Sequence, residues 1–80
     1  MVTVRLFGSL REACGKDRLI IDDGAVRDAL AHVAESGADD KLLRSCVMFV
    51  NNRPLRGISR LAVKLRDGDE LALLPPVGGG

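Results

Sequence analysis

The chain ends Leu73-Leu74-Pro75-Pro76-Val77-Gly78-Gly79-Gly80, and the group there with most scope for chemistry is not a side chain. It is the carboxylate of Gly80. Glycine has no Cβ, so Gly78-Gly79-Gly80 is narrow and takes backbone angles closed to other residues. A slim, uncharged tail ending in a carboxylate suits insertion into another protein's active site. Pro75 and Pro76 fix φ and favour an extended exit, which lowers the ordering cost of insertion. The stretch from Pro75 to Gly80 reaches at most about 20 Å when extended. That length threads a channel while a folded body docks outside it. The competing reading is a glycine-rich end with no role, as many chain termini are.

No side chain rivals that carboxylate. His32 is the only histidine. It lies off the apolar stripe of its helix and has no Ser or Cys at helical spacing, which predicts a solvated surface residue. Cys14 and Cys46 are far apart, and in a reducing compartment free thiols are expected. Cys46 sits in an apolar run and reads as a small buried residue. Only Lys16 and Arg18 lie near Cys14 to lower its thiol pKa, too little to mark a sulfur relay. Two cysteines and one histidine fall short of a four-ligand zinc site. The chain has no Walker loop and no Gly-x-Gly-x-x-Gly run. Gly78-Gly79-Gly80 lead into no helix in this sequence, so phosphate binding by them is not expected. No bound cofactor is expected.

Composition narrows the classes further. Eighty residues suit one small domain, with too little core to enclose a substrate cavity and its own catalytic shell. Twelve basic and eleven acidic residues nearly cancel, and Phe7 and Phe49 are the only aromatics. Without a basic run or stacking platforms, nucleic-acid binding has no support. No apolar stretch approaches the roughly 20 residues of a membrane span. Met1-Val2-Thr3-Val4-Arg5 does not resemble a signal peptide, so a cytoplasmic setting is expected.

The elements that must position the tail follow from periodicity. Val2, Val4 and Leu6 alternate with Thr3, Arg5 and Phe7, which predicts a strand with one buried face. Phe7 then falls on the opposite face. Ser9 reads as the N-cap of a short helical turn, with Glu12 completing a capping box and Gly15 closing it. Arg18–Ile21 is a second strand, close enough to pair antiparallel with the first. Val26, Ala29, Leu30, Val33 and Ala34 make one helical stripe from about Ala25 to Ser36, stopped by Gly37. A loop with a helical turn follows over 39–44. Cys46–Val50 is a nearly continuous apolar run, which predicts a central strand. Asn51-Asn52-Arg53-Pro54 is turn chemistry leading to a short partner near Leu55. A short strand is expected at 61–63, a turn at Asp67-Gly68, and a last strand at Glu70–Leu74, stopped by Pro75. The order predicts an α+β roll: a four- to five-stranded mixed sheet on one main helix, opened by a hairpin, as in the β-grasp architecture. Residues 1–75 would form the body and 76–80 the tail. One helix cannot cover both sheet faces, so one face stays open.

Three stretches together resemble the MoaD/ThiS group of ubiquitin-like sulfur carriers, above all its molybdopterin synthase small subunits. They are Phe7 with Arg11-Glu12 and Gly15, Val26-Arg27-Asp28-Ala29-Leu30, and Asp67-Gly68-Asp69-Glu70-Leu71-Ala72-Leu73-Leu74-Pro75-Pro76-Val77 running into the glycines. The small archaeal modifier proteins share that ending. The chain departs from the group in two places. Gly78 stands where Ser or Thr is usual, and Leu73-Leu74 stand where aromatics are frequent.

The resemblance implies that a ubiquitin-activating-type partner uses ATP to adenylate Gly80, after which sulfur displaces AMP to give a thiocarboxylate. The carrier would then be a non-catalytic sulfur donor to the large catalytic subunit of a molybdopterin synthase. Alternatively, Gly80 would be joined to lysines of target proteins. The body must offer a docking face for such partners. The candidates are Phe7, Leu65 and Leu74, with Arg11 at the rim. The alternative for the three apolar residues is simple core packing.

Overall fold

The structure is a computed structural model that describes residues 1–76. Val77, Gly78, Gly79 and Gly80, which include the predicted reactive group, lie outside the described residues. Strand β1 (Val2–Leu6) buries Val2, Val4 and Leu6 and turns Thr3 and Arg5 outward, the period-two outcome of a strand with one face on the core. Helix α1 (Gly8–Cys14) follows, and β2 (Arg18–Ile21) returns antiparallel to β1, with Val2 opposite Ile21. A two-residue strand β3 (Gly24–Ala25) leads into α2 (Val26–Glu35).

The stripe Val26, Ala29, Leu30 and Val33 is buried along α2. Each larger member contributes about 1.5–3 kcal/mol by leaving water. The Ala25 amide donates to Asp28 Oδ2 at 2.9 Å, placing a carboxylate at the positive helix end. Helix α3 (Asp40–Ser45) adds Leu43 to the same core. Strands β4 (Val47–Val50) and β5 (Arg53–Leu55) form the predicted hairpin. A 3-10 helix (Ile58–Ala62), β6 (Lys64–Leu65) and β7 (Glu70–Leu74) complete the described chain.

Five strands form one mixed sheet in the order β2-β1-β7-β4-β5, and β3 pairs with β6 in a separate ribbon. Strand β7 is central, parallel to β1 and antiparallel to β4. The helices and the inward residues of the strands share one core, which includes Leu6, Met48, Leu71 and Leu73. This is the ubiquitin-like β-grasp roll. The end of the sheet away from the tail is braced by Asp69. Its Oδ2 accepts from the Arg66 amide at 2.8 Å and its Oδ1 from Asn51 Nδ2 at 3.0 Å. Those bonds hold its carboxyl below the usual carboxylate range. Among the described residues, no helix is long and apolar enough to cross a membrane.

Two local expectations change, and the interior place expected of β4 holds. Helix α1 starts one residue before Ser9, with Phe7 as N-cap and no side-chain cap, so Ser9 and Glu12 form no capping box there. The Leu10 amide instead donates to the Phe7 carbonyl. The strand expected at 61–63 is mostly 3-10 helix, because the Arg60 guanidinium donates to the carbonyls of Arg44 and Cys46 and pins that segment against the start of β4. The apolar run of β4 is interior in the sheet but buried on one face only: Met48 is fully buried, whereas Val47 is 52% exposed. Helices α1, α2 and α3 all contribute to the core on Met48's side.

Candidate functional site

The root of the tail is positioned by a single pairing. Strands β1 and β7 run parallel, with Leu6 opposite Leu73. Their C-terminal ends therefore emerge together, and Phe7 and Leu74 leave the sheet at the same edge. Gly8 lies beneath the exit. Its φ is +53°, and a Cβ built there would stand 3.2 Å from Cγ of Pro75. A glycine at this point lets the chain turn in the left-handed region and lets Pro75 pass close over it. In the sequence Gly8 marks only the end of the alternating run from Val2 to Phe7. Its role appears once the two strand ends are brought side by side.

Beside this exit lies the uncovered face of the sheet. Antiparallel pairing sets Val47 opposite Leu74 and Phe49 opposite Ala72, and Phe49 opposite Pro54 on the other side. Val47, Phe49, Ala72 and Leu74 alternate with buried neighbours and so point away from the helices, and Pro54 shares their face by pairing with Phe49. Val47 is exposed and Phe49, Ala72 and Leu74 are half-buried. Across the sheet the same face turns mostly polar, with Thr3, Arg5, Arg18 and Glu70, broken by the exposed Ile20 opposite Thr3. Arg5 bridges the two halves. Its guanidinium stands 5.4 Å from the centre of the Phe7 ring and 3.8 Å from Glu70. A cation over an aromatic face is attracted by the ring quadrupole. An open apolar surface with a charged rim is the kind of surface that marks a partner site.

The four docking candidates divide. Phe7 and Leu74 are half-buried at the tail root. Leu65 does not belong with them. It is only 2% exposed, held in the β3–β6 ribbon opposite Gly24 and packed in the core. Its place in the ribbon could not be read from a segment with no clear period. Arg11 is exposed on α1, four residues beyond Phe7, and makes no ion pair among the described residues. Val47 and Phe49 were missed. The available signal was period two within β4: with Met48 inward, both must face the side that one helical layer leaves bare.

The remaining chemistry-bearing groups stay apart from this surface. His32 is exposed on α2. Cys14 Sγ donates to the Val33 carbonyl at 3.7 Å and Cys46 Sγ to the Leu42 carbonyl at 3.2 Å. Burial pushes the Cys46 thiol up to about 11, with Arg60 acting weakly the other way. Such a thiol is not a nucleophile near neutral pH. Among the described residues, no cluster of three or more His, Cys, Asp or Glu side chains is arranged to hold a metal ion.

Known proteins are similar to this chain in sequence and in fold. A molybdopterin synthase sulfur carrier subunit from Chlamydomonas reinhardtii is 35% identical over 83 residues, covering 99% of this chain and 98% of that protein. The small archaeal modifier protein 1 of Methanosarcina acetivorans superposes with a TM-score of 0.79 at 32% identity, over 99% of this chain and 95% of that one. In a complex of subunits 1 and 2 of the molybdopterin-converting factor from Helicobacter pylori, one chain superposes with a TM-score of 0.67 at 28% identity, over 99% and 97% of the two chains. The pattern of the ThiS family runs from residue 4 through the terminal glycines to residue 80, and by that match this chain belongs to the ThiS family.

Proposed function

We propose that this protein is a sulfur carrier for molybdopterin synthesis, loaded at the carboxylate of Gly80 and acting as the small subunit of a molybdopterin synthase. The observation that carries this reading is the shared exit of β1 and β7. It sets the tail root at Pro75 beside an open apolar face formed by Val47, Phe49 and Leu74. The family match reaches residue 80, and the similar algal protein is a molybdopterin synthase sulfur carrier subunit.

In this reading the body recognises and the tail reacts. A carboxylate is a poor acyl donor because the oxyanion it would expel is a poor leaving group. An adenylating partner solves this with ATP: the Gly80 carboxylate attacks the α-phosphorus and pyrophosphate leaves. Hydrosulfide-level sulfur then forms a C–S bond at the acyl carbon as the bond to AMP breaks and a proton is released, leaving a thiocarboxylate. Insertion of the tail into the large catalytic subunit delivers that sulfur to the acceptor; the acyl C–S bond breaks and water supplies the oxygen that regenerates the carboxylate. The nucleotide site and the catalytic side chains belong to the partners, and the setting is cytoplasmic. Intact mass of the protein isolated from its own cells tests the proposal. A population heavier by the difference between sulfur and oxygen, absent after deletion of Gly80, is the expected result. A wholly unmodified mass in cells making the cofactor refutes it.

A second reading rests on the likeness to the archaeal modifier protein. There the activated Gly80 is joined by an isopeptide bond to lysines of other proteins. Slower-migrating conjugates that vanish when Gly80 is deleted are its signature.

A further inference from the structure

The charge of this chain is unevenly placed. Residues 53–66 hold five of the twelve basic residues and no acidic one, so the rest of the chain carries seven basic against all eleven acidic residues. Within that segment Gly57, at φ +77°, turns the chain and presents Ile58 to solvent. Ile58 is 97% exposed, the most exposed large apolar residue described. Arg56 and Arg60 flank it. The Arg60 guanidinium is held in place by the carbonyls of Cys46 and Arg44. Arg44 is paired with Asp40 at 2.9 Å, but among the described residues no carboxylate lies within ion-pair distance of Arg56 or Arg60. A shallow groove joins this region to the sheet face. It starts at Val47 and Phe49, passes Pro54, and ends between Arg56 and Arg60. A second hollow shares Gly57 and Arg60 with it and continues to Ile58 and Leu61.

We infer that this arginine-flanked groove is a second docking element. It takes an acidic ridge, carrying an apolar residue for Ile58, on the large subunit that receives the tail. The inference rests on the carrier reading above and adds the chemistry of the partner's surface. Charge complementarity selects carboxylates, since among the described residues neither the exposed Arg56 nor the half-buried, carbonyl-held Arg60 has an acid within ion-pair distance. The exposed isoleucine selects a protein partner over a polyphosphate. A nucleic acid gains little from an aliphatic side chain, and the groove lacks the track of cations and stacked rings that single strands need. Continuity with Val47 and Phe49 places the groove on the same side as the tail root, so one partner covers both. Arg60 is already oriented by backbone carbonyls, which reduces the ordering cost on binding.

Calorimetric titration of the full chain with the molybdopterin synthase large subunit encoded in the same genome tests this. The variants are Arg56→Glu alone and Arg56→Glu with Ile58→Ser. These side chains are exposed, so the melting temperature serves as a fold control. The expected result is binding weakened by about tenfold or more at low salt, with a flatter salt dependence than that of the unaltered chain. Affinity unchanged within about twofold, while the unaltered chain binds normally, overturns the groove and leaves the carrier reading standing. Failure of the unaltered chain to bind the large subunit overturns the carrier reading, and the groove with it. Two other occupants are checked in parallel. Polyuridylate bound by the unaltered chain and not by Arg56→Glu would assign the groove to nucleic acid instead. Amide shifts at 56–61 caused by deleting 78–80 would assign it to the chain's own tail. Either result overturns the proposal.

Discussion

Adjacent residues on β4 offer a direct test of which sheet face is free. Met48 is fully buried between the sheet and the helices, whereas Val47 is 52% exposed on the other face. Met48→Ala removes buried side-chain atoms and leaves a cavity, at a cost of about 2–4 kcal/mol. An 80-residue domain has about 4–12 kcal/mol of stability in all. The melting temperature should therefore fall by roughly 10–30 °C. Val47→Asp loses only some strand propensity, less than about 1 kcal/mol. At an interface the outcomes reverse. An aspartate buried there without a partner costs about 1–3 kcal/mol, a weakening of roughly 5- to 150-fold. Thermal melts by circular dichroism and titration against the large subunit give both numbers for each variant. The reasoning fails if Val47→Asp destabilises the free chain as much as Met48→Ala does. That result would mean that the supposedly open face is covered within the chain itself.

Three further outcomes follow from other parts of the molecule. Gly79→Val should leave the melting temperature unchanged and block adenylation by the cognate enzyme, because a branched side chain obstructs a close-fitting channel; pyrophosphate release is the readout. Gly8→Ala should cost about 1–2 kcal/mol for an L-residue in the left-handed region, with added crowding against Pro75; a melt shows the loss, and a neutral result would remove Gly8 from the account of the exit. Cys46, its thiol pushed up to about 11 from 9.0, should resist alkylation at pH 8 in the folded chain. The folded state keeps that proton while the unfolded state loses it, so stability should fall as pH rises from 9.0 towards 11; chemical denaturation of the parent and of Cys46→Ala across that range checks the sign.

Much of this protein was legible in the residue pattern because its strongest signals are local. Strict alternation in Val2–Leu6, the apolar stripe from Val26 to Val33, and the Pro75 stop after an apolar strand each follow from backbone geometry within a few residues. So did the hairpin at Asn51-Asn52, whose positive φ angles suit asparagine. The proposal of chemistry at the Gly80 carboxylate rests on a signal of the same local kind, since what an absent Cβ permits depends on no distant neighbour.

Tertiary structure decided what depends on partners far along the chain. Leu65 looks like Leu74 in the sequence, but pairing with Gly24 buries one, while pairing with Val47 leaves the other on the open face. The run Val47–Val50 carries no label for which side the helices take. Only the shared core assigns Met48 inward and Val47 outward. The meeting of Gly8 with Pro75 requires parallel alignment of the first and last strands. These are long-range pairings, and the identity of a residue does not specify which distant strand will lie beside it.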